Sequence, residues 1–88
     1  MQIQITKVNV KKGNRTLLLE GYIGQNRFNA ELLSVNLEIT SPHRLGEKDE
    51  KRMEEILTEE IFPLPYNGLF DQEEIDRIME DSPLVFKI

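Results

Sequence analysis

Apolar and polar residues alternate through roughly the first forty positions, the period of strands that bury one face. Ile3 and Ile5 alternate with Gln2, Gln4 and Thr6, and the apolar phase then slips to Val8 and Val10. A period of two changes face only where an extra residue enters, so the slip predicts a bulge. Lys11-Lys12-Gly13-Asn14 reads as a turn, Leu17 to Ile23 as a second strand, and Gly24-Gln25-Asn26 as a second turn. A third strand is expected from Phe28 to about Ile39. Phe28, Ala30 and Leu32 share one face, and Leu33, Val35, Leu37 and Ile39 take the other phase, which places a second bulge or bend near Leu32. Ser41-Pro42 ends the sheet, because proline donates no ladder hydrogen bond.

After Gly46 the period becomes helical. Met53, Ile56, Leu57 and Ile61 form one stripe of a helix over residues 47–62, and Pro63 and Pro65 end it. Asp71 reads as the N-cap of a second helix over residues 71–80, with Glu74 placed for a capping box and Ile75, Ile78 and Met79 facing inward. Asp81-Ser82-Pro83 stops that helix, and Leu84, Phe86 and Ile88 alternate as a last strand or docked tail over residues 84–88. The expected architecture is a single α+β domain over residues 1–88. A small antiparallel sheet packs against two helices. It is built from a three-stranded meander within residues 1–40 and a fourth, C-terminal strand.

Composition narrows the chemistry. With 88 residues, four Phe, two Tyr and no Trp, the core must be aliphatic. The absence of Cys removes disulfides, thiolate catalysis and cysteine zinc sites together. No run approaches the roughly 18 apolar residues of a membrane span. MQIQITKVNV lacks the basic start and continuous apolar run of a signal peptide, so a cytoplasmic protein with no membrane partner is expected. The net charge of −5 is unevenly spread. Met1–Gly46 holds six Lys/Arg against three Glu, whereas Glu47–Ile88 holds five Lys/Arg against thirteen Asp/Glu. The helical half therefore presents an acidic face.

Candidate chemistry is sparse. His43, the single histidine, follows Pro42 in a loop with no nucleophile or orienting carboxylate nearby, so a surface histidine is expected rather than a general base. The run Asp71-Gln72-Glu73-Glu74-Ile75-Asp76 lacks the glycine and spacing of a calcium loop and reads as a helix start. No glycine-rich phosphate cradle is present, and no metal or cofactor is expected. Lys11, Lys12 and Arg15 cluster at the first turn, but the acidic second half disfavours direct nucleic-acid binding. The reading is a non-enzymatic protein that binds another protein with a basic surface. Glu50, Glu54, Glu55 and Glu59 on the outer side of the first helix are the expected partner-binding residues. Phe62-Pro63-Leu64-Pro65-Tyr66 and the following Leu69-Phe70 mainly close the core, with Tyr66 as an exposed anchor for a partner. Self-association through a strand edge, as an assembly subunit, is the alternative from another class.

Gly21, Phe28, Ser34 and Pro42, followed by the helix of Lys51, Met53, Ile56 and Leu57, form a pattern over the middle third of the chain. It resembles small bacterial immunity proteins of polymorphic toxin systems. Leu37, Glu38 and Ile39 stand where such a protein carries a tryptophan on its third strand. The resemblance implies a short, acidic cytoplasmic inhibitor that blocks a cognate toxin, such as a nuclease, by binding it. Phage-encoded inhibitors of bacterial defence enzymes share the same gross features.

Overall fold

The slip of phase in the first strand decides how the sheet is assembled. The computed structural model describes residues 1–33, 36–40 and 45–88, so Ser34, Val35, Ser41, Pro42 and His43 of the sequence reading lie outside the described residues. Strand β1 (Gln2–Val10) pairs with β2 (Thr16–Ile23) in a register that passes from Ile5↔Gly21 to Lys7↔Glu20, leaving Thr6 as the extra residue. This is the expected bulge, and the Thr6 hydroxyl donates to the Glu20 carbonyl at 3.1 Å across it. Ile3, Ile5 and Val8 consequently reach the same buried face.

Gly21 is what permits the crossing. A Cβ at this position would overlap the Gln4 carbonyl oxygen and lie 2.9 Å from its carbon and 3.1 Å from the Ile5 Cα, all of them backbone atoms. Gly24, by contrast, is a turn glycine with φ +62° and open space around it.

The expected long third strand is two strands. β3 (Asn26–Leu33) ends in a reversal, and β4 (Leu37–Ile39) returns antiparallel beside it with Leu32 opposite Leu37 and Ala30 opposite Ile39. The Leu33 N–H donates to the Asn36 carbonyl at 2.8 Å inside this hairpin. Apart from half-buried Leu33 at the end of β3, the apolar residues of both strands lie on the inner face, so the change of phase marks a change of strand and not a bend. The last strand, β5 (Leu84–Lys87), pairs with β1, giving a five-stranded antiparallel sheet in the order β4-β3-β2-β1-β5.

The inner face is covered by helix α1 (Glu47–Ile56), which runs on as a π-helical turn over Leu57–Ile61, and by helix α2 (Gln72–Ile78), which ends in a 3₁₀ turn over Met79–Asp81. Met53, Leu57, Phe62, Phe70 and Ile75 join the strand residues in one core. The Phe62 N–H donates to the Leu57 carbonyl at 2.8 Å, the wider spacing of a π turn. That extra width brings Phe62 inward and leaves Ile61, expected in the buried stripe, only half-buried. Asp71 caps α2 by accepting from the Glu73 N–H at 3.1 Å, while Glu74 pairs with Arg77 at 2.9 Å instead of closing a capping box. Two hydrogen bonds dock this helix on the first hairpin, from the Val10 N–H to Gln72 Oε1 at 2.9 Å and from the Phe70 N–H to the Asn14 carbonyl at 2.7 Å. No helix among the described residues is long and apolar enough to cross a membrane.

Replacing Gly21 by Ala is expected to destabilise the protein by about 3 kcal/mol, because backbone on both strands must move to admit the methyl group. Gly24→Ala is expected to cost about 1 kcal/mol, the ordinary cost of a side chain at positive φ. Urea midpoints of the two variants measure the difference, and equal losses would contradict the close-approach account.

Candidate functional site

An antiparallel sheet has two edges, and each edge exposes every second backbone N–H and C=O unless something covers it. The two edges of this sheet are treated differently. At β4, the Leu37 N–H points away from β3 and donates to Glu54 Oε2 at 3.3 Å. Glu50, one helical turn earlier, lines a groove along Leu37, Glu38, Ile39 and Thr40. Helix α1 thus brings two carboxylates to this edge and bonds to it through one of them. Leu37 and Ile39 are only 5% and 4% exposed, and the Ile39 N–H, which alternation also turns away from β3, has no partner among the described residues.

At β5 no comparable cover is present among the described residues. Met1 and Ile88 exchange both backbone hydrogen bonds, at 3.2 and 3.0 Å. Alternation from that pair points the N–H and C=O of Val85 and Lys87 away from β1. Neither N–H has a partner outside the ladder among the described residues. The inward side chains Leu84, Phe86 and Ile88 are half-buried, and the outward Val85 is 53% exposed. Beside this edge lies an open groove of about 440 Å³, lined by Glu60 and Ile61 from the π turn, Arg77, Ile78 and Asp81 from the second helical segment, and Leu84 and Val85 from the strand.

The expected binding residues are therefore divided. Glu50 and Glu54 face the β4 edge, and Glu54 is half-buried with a structural bond. Glu55 is half-buried beside Arg52, with which it forms an ion pair at 3.5 Å, and Glu59 is exposed without an ion-pair partner among the described residues. Tyr66 is fully exposed between the buried anchors Phe62 and Phe70, in company with exposed Leu64 and Leu69. Lys11, of the basic turn, is tied to Glu31 at 3.0 Å, while Lys12 and Arg15 are exposed. The four ion pairs among the described residues lie at the surface, where each contributes about 0–1 kcal/mol.

The sequence reading missed the β5 groove. Its walls come from three segments, around residues 60, 78 and 84, that alternation and helical period describe one at a time. The available signal was the apolar alternation of Leu84, Phe86 and Ile88 in a strand too short to be an interior one. Among the described residues no three His, Asp or Glu side chains converge as metal ligands. Comparison with protein-family models, with curated proteins and with solved structures finds no match to the chain.

Glu54→Ala is expected to lower stability by about 1 kcal/mol, since the Leu37 N–H loses its acceptor at a partly buried edge. Glu59→Ala is expected to change it by less than about 0.5 kcal/mol. Thermal unfolding of the two variants checks the contrast. A neutral Glu54→Ala would remove the carboxylate from the account of how β4 is held.

Proposed function

We propose that this protein is a non-enzymatic inhibitor or immunity-type protein that blocks a partner protein by binding its basic surface. The observation that carries the reading is the groove beside β5, where Glu60 and Asp81 stand over half-buried Ile61, Ile78 and Leu84. An interface of this composition combines apolar area, which supplies affinity, with like-signed charge, which selects an oppositely charged partner and accelerates its approach. Among the described residues Arg77 is the one cation on the groove, and it is already paired with Glu74 at 2.9 Å, so the acidic character persists. Glu59 extends it along the same helical segment. The excess of thirteen acids over five bases from Glu47 onward is consistent with the same partner. The side-chain hydrogen bonds among the described residues cap helices, span the bulge and dock segments on one another, which are structural roles. A bacterial immunity protein and a phage-encoded inhibitor are two forms of this proposal.

The alternative of self-association drew on a long third strand with apolar residues in both phases. The reversal after Leu33 removes the long strand and leaves Arg27 and Asn29 on the exposed outer face of β3, although Leu18, Tyr22 and Val85 remain exposed on β2 and β5.

Affinity capture from host extract at low salt is expected to recover a protein partner with a basic surface. Glu59→Lys, Glu60→Lys and Asp81→Lys combined should slow association by about tenfold and flatten or reverse its salt dependence, with an unchanged melting temperature. Recovery of no protein, or an association rate unaffected by the three reversals, would contradict the proposal.

A further inference from the structure

We infer that the free edge of β5 receives an extended, basic segment of the partner as a sixth strand, an inference that rests on the partner-binding reading above. The two edges of the sheet supply the argument. The β4 edge is partly occupied: the Glu54 carboxylate takes the Leu37 N–H, its inward side chains are already buried, and the outward groups of Ile39 are left without a partner among the described residues. The β5 edge offers the outward N–H and C=O of Val85 and Lys87, which match the backbone of one more antiparallel or parallel strand. Its inward side chains Leu84, Phe86 and Ile88 are half-buried and would gain cover from such a strand.

Charge identifies the occupant. Side chains of an added strand alternate between the two faces of the sheet. Those turned inward would lie over Ile61, Ile78 and Leu84 with Glu60 and Asp81 at the margin. Lysine or arginine satisfies both demands, since its stem packs on apolar surface while its head reaches a carboxylate. Those turned outward would stand beside Val85, the exposed valine of the strand, where a β-branched residue packs best. The fitting segment is thus extended, with cationic and β-branched residues in alternation. A second copy of this chain fits less well, because two molecules of net charge −5 would approach each other at a carboxylate-lined edge.

The test uses the whole protein, isotopically labelled, titrated with a short alternating Lys-Val peptide and with its Glu-Val counterpart. The Lys-Val peptide is expected to shift the Val85 and Lys87 amide signals most and to slow their hydrogen exchange. The Glu-Val peptide should bind at least about tenfold more weakly, from the reversed charge against Glu60 and Asp81. Val85→Pro removes an N–H that β1 does not use, so it should keep the fold and abolish peptide binding. The mapping on the unmodified protein is decisive whether or not that variant folds. Shifts confined to Glu59, Glu60 and neighbouring helical amides would overturn strand addition while leaving the acidic-surface proposal standing. Absence of Lys-Val binding would overturn strand addition alone, because partner capture tests the broader proposal separately. Concentration-dependent protection of Val85 without peptide would replace the basic segment by a second copy.

Discussion

β1 is paired on both sides, and the rest of the sheet depends on how it crosses β2 at Thr6 and Gly21. Without the bulge, a strand with Ile3 and Ile5 inward would turn Val8 to solvent. Without a glycine opposite, the Gln4 carbonyl could not come so near the neighbouring strand. The accommodation lets the first half of β1 hold β5 through Ile3↔Phe86 and Ile5↔Leu84, while its second half continues along β2 to the first turn. The position of the chain's last strand, and of the edge it exposes, therefore rests on two residues in the first quarter of the sequence.

The helical half completes the asymmetry. Glu54 is placed on the β4 edge by α1, and the π turn that follows swings Phe62 into the core and Ile61 out toward β5. One helical segment thus bonds to one edge of the sheet and contributes a wall of the groove at the other. Closing edges with charge and with covering elements is a common protection against unwanted strand pairing. An edge left uncovered beside a carboxylate-rimmed apolar groove is the feature on which the proposed binding role depends.

Much of the fold was legible because alternation and helical period report burial directly. The bulge in β1, both helices, the Asp71 cap and the pairing potential of Leu84, Phe86 and Ile88 all follow from residue order. The β3–β4 hairpin was not, because a phase change in a period-two pattern arises equally from a bulge and from a reversal. Ser34-Val35-Asn36 carries no glycine or proline to separate the two cases. The site was less legible still. Helical spacing marks Glu54 as polar-facing, yet its partner is a backbone N–H seventeen residues earlier. Glu60, Ile78, Asp81 and Leu84 become neighbours only through packing.

Glu54 holds the Leu37 position of one edge while the other edge has no such bond among the described residues, and amide hydrogen exchange in the free protein measures the difference. The Leu37 amide, held by Glu54, should exchange slowly, and the Val85 and Lys87 amides, which face away from β1, should exchange nearly as fast as those of an unstructured chain. Protected Val85 and Lys87 amides together with a rapidly exchanging Leu37 amide would contradict the account.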